Sequence, residues 1–452
     1  MTMKFINRLK NLDSLTAFLI LEVLAVTSFS LGAVNALFYC FGVVVSIFAV
    51  FQSYSKFNKS EFKSLMIFFV PMFVLSIFVS FGNLFKGQTL LNVLVLLSIN
   101  SFFIMGISAN KIKSFNKETC LIIIGVSMAL LVLISMIYSW ANYGLFYALI
   151  YKETPIYYYD ANKYDITKEG GWLMGFSMKE MSTLFTGAYG VILSSYLTAL
   201  LFVNPKKELK KFLIYLSIGL VGLIYLISIP NLWALVFIIP VIIFAACYRF
   251  LKDNKIFVKT IKIVLLSIFC LLVIFFILMI VNNINSSFAE FISSNVLLNR
   301  IFNGNRIVDG PNKILKQAFI TYNLFGFNDS SLYYETQQTI LVNTKMFEIE
   351  LIKESGFFAF LILLAMVVLY IVFGFNYLKK SEDSNVIKVL SIGIILSYFI
   401  YSTFENDITP IVHETGNYVS FFRSPLSMVM LFVLGTIFMP LFAKKEEKQN
   451  EE

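Results

Sequence analysis

The sequence predicts an all-α fold, a polytopic membrane helical bundle of about twelve transmembrane helices with a large outside loop of short amphipathic helices. One observation is composition: 58% of the 452 residues are hydrophobic and only 14% are charged. Soluble domains carry about 25% charged residues. The other is the recurrence of uncharged apolar runs of roughly 20 residues, the length that crosses a bilayer as a helix.

Twelve such runs can be traced along the chain. They cover approximately 14–32, 34–52, 64–82, 88–107, 119–140, 183–203, 212–229, 231–249, 262–281, 347–375, 386–404 and 424–442. Pro71 and Pro240 fall inside two of these runs, which membrane helices tolerate better than soluble helices do. A tight turn around Gly32–Asn35 is expected between the first two runs.

The distribution of Lys and Arg predicts the orientation. When the N-terminus is placed inside, 24 of the 36 basic residues lie in inside segments, and short cytoplasmic segments are the ones enriched in Lys and Arg. Both termini are therefore predicted to be cytoplasmic. The net charge of +9 is explained by this asymmetry, so it does not indicate a nucleic-acid partner.

The same topology divides the chain. Residues 1–281 are predicted to hold helices one to nine, with an outside loop at 141–182. Residues 282–346 form a large outside loop, residues 347–443 hold the last three helices, and 444–452 are a cytoplasmic tail. Long loops inside a compact architecture are usually functional or disordered, so the two long outside segments are where function is expected.

Cysteine and histidine usage excludes several kinds of site. The four cysteines, Cys40, Cys120, Cys247 and Cys270, lie in or beside apolar runs without motif spacing, as small buried hydrophobes do. The single histidine cannot build a His-rich metal centre. We therefore predict no metal site, no disulfide framework and no cofactor.

The large loop has the pattern of short amphipathic helices. Ser287–Leu298 has mixed apolar spacing, and Pro311–Ile320 has a helix-compatible face with Pro at its start. Asn303–Gly310 is a polar, Gly-containing connector between them. Two interpretations stay open: a lid over a site at the outer membrane face, or a purely structural cap.

Three motifs occur in order around the end of this loop. They are Gly304-Asn305-Arg306, then Asn323-Leu-Phe-Gly-Phe-Asn328, then Glu348-Ile-Glu-Leu-Ile-Lys-Glu-Ser-Gly356. Their order, spacing and position before the tenth apolar run resemble the O-antigen polymerase and ligase superfamily. The resemblance covers the topology of the whole chain, but the motifs cover only about 300–360.

The resemblance implies a metal-independent membrane glycosyltransferase of the bacterial cytoplasmic (inner) membrane. Such a protein transfers a glycan from an undecaprenyl diphosphate donor to an acceptor hydroxyl at the outer leaflet. The polymerases join lipid-linked repeat units into O-antigen, capsule or exopolysaccharide, and the ligases use the lipid A core. The implied partners are the lipid-linked donor and acceptor, the bilayer and a chain-length regulator protein.

The diphosphate leaving group is expected to be bound by basic residues, above all by arginines. Guanidinium groups bind phosphate bidentately and stay charged. Arg306 matches the family motif, with a salt bridge to Asp309 as the alternative role. Arg300 is a second candidate ligand or a snorkelling interfacial residue. Arg423 faces the same cavity or anchors a helix end. Lys179 lies where relatives often place a basic residue.

Two residues are candidates for the general base. Glu348 is the carboxylate nearest the re-entry helix and could accept a hydroxyl proton if burial raised its pKa; its alternative role is in a charge-paired helix end. His413 lies in a predicted outside loop with acidic neighbours, or is an ordinary loop residue. The ligases carry a His-Asn pair where this chain has Lys345-Met346, which disfavours a ligase.

Other classes of membrane protein remain as alternatives. An O-antigen ligase shares the topology, and a lipid-linked oligosaccharide flippase also has about a dozen spans but needs no long outside lid. A cell-wall polymerase of the shape–elongation–division type would carry its own outside Asp motif, which is missing from the sequence. A transporter would show paired broken helices in two related halves, and no internal symmetry is visible. The sequence therefore favours a repeat-unit polymerase.

Overall fold

The structure is a computed structural model of the full chain. It describes residues 56–81, 100–111, 115–143, 171–174, 179–228, 236–251, 277–295, 347–404, 414–415, 418–419 and 425–439, and the single positions 44, 47, 274, 298 and 324. These residues are overwhelmingly helical, as the composition predicts. The predicted run 14–32 lies outside the described part, and only residues 44 and 47 of the run 34–52 are described, so the count of twelve spans stays a prediction.

Eleven labelled helices and four short strands are used below. The helices are α1 Lys59–Phe81, α2 Asn100–Ala109, α3 Lys117–Tyr143, α4 Thr183–Ser194, α5 Tyr196–Ala199, α6 Leu209–Ser228, α7 Ile238–Leu251, α8 Ser286–Ser294, α9 Phe347–Lys380, α10 Asn385–Phe404 and α11 Pro425–Thr436. The strands are β1 Gly171–Met174, β2 Lys179–Ser182, β3 Glu414–Thr415 and β4 Tyr418–Val419. A further helical stretch covers 277–284, just before α8.

Three helical stretches in the described part are long and apolar enough to cross a bilayer: Lys117–Ile134, Leu209–Ile227 and Gly356–Lys380. α2, α7 and α10 are apolar but shorter over their described lengths. Every labelled helix longer than one turn, except α8, overlaps one of the predicted apolar runs, because a run of 20 apolar residues can satisfy its backbone in a membrane only as a helix.

α4, α6 and α10 pack together around buried tyrosines. Tyr189, Tyr225, Tyr398 and Tyr401 are all fully buried between these helices. Gly187 of α4 leaves space for the Tyr401 ring, since a Cβ there would collide with its hydroxyl oxygen. Small residues at such contacts let membrane helices approach closely. These packed rings make α4 the centre of this part of the bundle.

α2 and α11 cross through a pair of glycines. A Cβ on Gly106 would collide with the Phe432 carbonyl oxygen, and one on Gly435 would collide with the Phe103 carbonyl oxygen. The two backbones therefore touch without side chains between them. Nearby, Phe68 of α1 stacks on Phe103, with ring centroids 4.7 Å apart. Aromatic packing thus joins α1 to the crossing pair.

One end of the bundle is cross-linked by ion pairs at the start of α3. Lys117 Nζ lies 2.6 Å from Asp383 Oδ2, and the Tyr377 hydroxyl donates to the same oxygen over 2.7 Å. The next residue, Glu118, pairs with Lys211 Nζ at 2.9 Å. Burial opposes the charge on the Asp383 carboxylate, but the pairing with Lys117 outweighs it and holds the pKa of Asp383 below its usual value.

A further pair, Glu61 with Lys111 at 2.7 Å, joins the start of α1 to the segment after α2. The ion-paired residues come from segments around 56–63, 111–118, 208–211 and 381–388. All four segments are predicted to lie on the cytoplasmic side. Their clustering places these helix ends together at one face of the bundle, as alternating helix directions require.

Two features of the backbone differ from the predictions. The predicted span 347–375 is broken at Gly356, so a short helix precedes the membrane-length helix. In the predicted outside loop 141–182, β1 and β2 form an antiparallel ribbon in which Met174 opposes Lys179. β3 and β4 form a second ribbon, with Glu414 opposite Val419. Neither ribbon was expected from the sequence.

Candidate functional site

The candidate site is described around the break in α9 at Gly356. Gly356 has φ 82° and ψ 178°, a region that only glycine occupies without strain. The chain therefore makes two helices, 347–355 and 357–380, rather than one. The second rises for about 36 Å, enough to cross the hydrocarbon core of a bilayer. It ends at Lys380, beside the ion-paired face, so the break lies at the opposite end of the bundle.

The break frees a backbone donor, and that donor joins two of the sequence motifs. The N–H groups in the first turn of a helix have no partner inside the helix. The Phe358 N–H donates to the Leu324 carbonyl oxygen over 3.3 Å. Leu324 belongs to the Asn323-Leu-Phe-Gly-Phe-Asn328 motif, and Phe358 follows the Glu348–Gly356 motif. Segments 34 residues apart in the chain thus meet at one hydrogen bond.

The short helix before the break packs into the protein. Leu351 and Ile352 are buried, with exposed fractions of 3% and 1%. Glu348 lies three and four positions earlier, so it belongs to the same helix face one turn before them. For Glu348 the structure defines the backbone position only. That position lies about two helical turns before the break.

Lys179 lies on β2, at the turn end of the first ribbon, opposite Met174. β1 packs against α3, and β2 leads directly into α4 at Thr183. The ribbon is thus held by two helices of the bundle. Among the described elements, neither strand of this ribbon packs extensively against α9, the helix that carries Glu348.

The remaining predicted site residues, Arg300, Arg306, Arg423 and His413, lie outside the described residues. Their proposed roles therefore remain predictions. His413 directly precedes β3, and Arg423 lies two residues before α11.

Metal chemistry has no candidate site in the ranges that the structure describes, where no group of three or more His, Cys, Asp or Glu side chains could hold an ion. Within the described ranges, neither Cys120 nor Cys247 forms a disulfide. Cys40 and Cys270 lie outside the described ranges.

Sequence reasoning missed the hydrogen bond between Phe358 and Leu324, and it missed the ion pairs of Lys117 and Glu118. The first had a usable signal, since a glycine inside a long apolar run next to a motif suggests a break. The ion pairs had only a weak signal in the sequence. Charged residues are common at the ends of apolar runs, and the sequence does not show which of them pair.

Comparison of the chain with protein-family models, with curated proteins and with solved structures found no match.

Proposed function

We propose that this chain is a multi-pass protein of the bacterial cytoplasmic membrane that joins undecaprenyl-diphosphate-linked repeat units into a surface polysaccharide. Both termini would be cytoplasmic, and the reaction would take place at the outer face. The observation that carries this proposal is the hydrogen bond from Phe358 to Leu324. It connects one of the three motifs on which the resemblance to the O-antigen polymerases rests to the residue two positions after another.

The proposed chemistry is a glycosyl transfer without metal. The bond between the anomeric carbon of the donor glycan and its phosphate oxygen breaks, and the lipid diphosphate leaves with the electron pair. The acceptor hydroxyl oxygen bonds to the anomeric carbon, and its proton passes to Glu348, with His413 as the alternative base. Arg306, assisted by Arg300, Arg423 and Lys179, stabilises the negative charge that develops on the leaving group.

The helix break suits this chemistry by its position. In the proposed orientation it lies at the outer end of a membrane-length helix, where a lipid diphosphate would meet the aqueous phase. The first turn of the helix 357–380 carries the partial positive charge of a helix N-terminus. The proposal requires that burial raise the pKa of the Glu348 carboxyl, since only then would Glu348 accept a hydroxyl proton.

A direct assay uses purified protein in vesicles with the undecaprenyl-diphosphate-linked repeat unit and follows polymer formation on gels. Wild-type protein is expected to give a ladder of products. Arg306→Ala should lose at least about 100-fold in rate, as removal of one transition-state donor does, and Arg306→Lys should recover only part of it. Arg249→Ala, which removes an exposed arginine near the ion-paired end of the bundle, is the matched control. Unchanged polymer from Arg306→Ala would contradict the site.

Deletion of the gene separates the alternatives in the cell. Surface glycan carrying a single repeat unit would support a polymerase. Loss of attached repeats, with lipid-linked polymer accumulating, would identify a ligase instead. Loss of all repeats at the outer face would identify a flippase.

A further inference from the structure

A group of exposed basic side chains stands at the ion-paired end of the bundle, in and beside the turn between α5 and α6. We call Lys206, Lys207, Lys210 and Arg249 the basic patch; all four are exposed. The turn that carries Lys206 and Lys207 is ordered by Asn204. Its side-chain oxygen accepts the Lys206 N–H over 3.1 Å, and its carbonyl oxygen accepts the Lys207 N–H over 3.1 Å.

Arg249 is held next to this turn by aromatic packing. Its guanidinium carbon lies 5.6 Å from the ring centroid of Phe202, and the Tyr248 ring lies 5.8 Å from the same ring. The Tyr248 hydroxyl in turn donates to Asn385 Oδ1 over 3.2 Å. A guanidinium on an aromatic face keeps its in-plane donors available for another partner. Arg249 therefore packs on Phe202, four residues before Lys206, and forms no ion pair with a described carboxylate.

The acidic residues near the patch are already engaged. Lys211, which is half-buried, lies 2.9 Å from Glu118 and 3.7 Å from Glu208. Within the described chain, none of the four side chains of the basic patch forms an ion pair. The patch therefore carries an excess of positive charge that no ion pair among the described residues neutralises.

The patch stands at the end of two exposed apolar faces. On α6, Leu209, Leu213 and Ile224 are exposed at spacings of 4 and 11, which place them on one helix face about 22 Å long. On α7, Ile243 and Phe250 are exposed, Phe250 with 76% of its surface. Apolar faces that end in a positively charged group match the two halves of a phospholipid.

We propose that the basic patch binds the headgroup phosphate of an anionic phospholipid whose acyl chains lie along the exposed faces of α6 and α7. This inference rests on the proposed membrane location but not on the glycan reaction. Lysines near an anionic lipid surface are attracted to it, and Arg249 supplies a planar fork that a phosphate can engage bidentately. The ordered turn reduces the side-chain freedom that binding must remove.

Native mass spectrometry of the detergent-purified full chain tests the proposal, with phosphatidylglycerol and phosphatidylcholine as the probe lipids. Wild-type protein should retain phosphatidylglycerol in preference to phosphatidylcholine. Lys206→Gln/Lys207→Gln should weaken the phosphatidylglycerol affinity roughly 10- to 30-fold, since each Lys contributes about a factor of five. Lys206→Arg/Lys207→Arg should keep it. All substituted positions are exposed, so unfolding at an unchanged midpoint in phosphatidylcholine would verify the fold of each variant.

The matched control is Lys379→Gln/Lys380→Gln, which removes the same charge from two exposed lysines at the same end of the bundle. It should leave phosphatidylglycerol binding unchanged. An equal loss in this control would mean that only the general positive charge matters and would overturn the proposal. Equal retention of phosphatidylcholine would do the same. Displacement of phosphatidylglycerol by millimolar inorganic phosphate alone would assign the patch to a soluble phosphate and would also overturn it.

Discussion

Replacing Gly356 by alanine tests whether the break in α9 is a fixed part of the fold. At φ 82° and ψ 178° a Cβ introduces backbone strain of about 1–3 kcal/mol. If the backbone relaxes to avoid that strain, the hydrogen bond from Phe358 to Leu324 is lost, at about 1 kcal/mol. By either route the variant should lose about 1–3 kcal/mol of unfolding free energy.

Gly374→Ala is the matched control, because it lies on the same helix within the same membrane-length segment. Its Cβ would meet only the Ile392 Cδ1 at 3.8 Å, an ordinary contact. Alanine is favoured over glycine inside a helix by about 1 kcal/mol, so this variant should be as stable as wild type or slightly more stable. The two glycines of one helix are thus expected to respond in opposite directions.

Reversible unfolding of the purified protein in mixed detergent and dodecyl sulfate micelles measures both variants. Gly356→Ala should unfold at a lower dodecyl sulfate fraction than wild type, and Gly374→Ala should not. Coincident curves for Gly356→Ala and wild type would refute the argument, because they would show that the backbone at 356 is free to adopt an ordinary helical conformation. The polymer assay on the same preparations then shows whether the break also matters for the proposed reaction.

Three further predictions concern the packing of the bundle. Asp383→Asn should lower the free energy of unfolding by about 2–3 kcal/mol, because it leaves the charge of Lys117 poorly compensated in a largely buried site. The same substitution should remove the part of the pH dependence of stability that Asp383 causes. Because the pKa of Asp383 is lower in the folded protein than in the unfolded chain, its stabilisation is complete well above pH ~4 and is lost as pH falls through the folded pKa; acid unfolding curves of the two proteins check this. Gly106→Ala should lower the free energy of unfolding by about 1–3 kcal/mol, because its Cβ would force apart the helices that cross at Gly106 and Gly435. The same dodecyl sulfate unfolding measures it, and a stability equal to that of wild type would contradict the close approach. Tyr196→Phe removes a hydroxyl that donates to an α3 backbone carbonyl and should cost about 1 kcal/mol, with an unchanged midpoint as the contrary result.

The positions of the helices could be predicted from sequence because an apolar run in a membrane has few alternatives to a helix. The packing partners could not. The residues around Gly106 do not predict that it contacts Gly435. A glycine in a helix permits another backbone to approach closely, but it does not determine which one. The ribbon Gly171–Ser182 was also missed, because four-residue strands give too short a pattern to separate from a loop.

Of the candidate site, the motifs could be identified in the sequence but the contact near them could not. The motifs around Leu324 and Gly356 were identified in the sequence, and the structure joins them by a backbone hydrogen bond. That contact involves an N–H in the first turn after a helix break, and the positive φ of Gly356 produces that break. The roles of Arg306 and the other basic residues remain predictions, to be decided by the polymer assay.

The ion pairs of α3 also have a consequence for the order of events during synthesis. Lys117 is made 266 residues before its partner Asp383, an interval of roughly 15–50 s at ordinary translation rates. In the proposed orientation, Lys117 would during that time be an unpaired cation beside a newly inserted helix and would hold the helix end in the cytoplasm. When Asp383 arrives, the same charge becomes a structural link. One side chain would thus first direct insertion and later link two parts of the finished bundle.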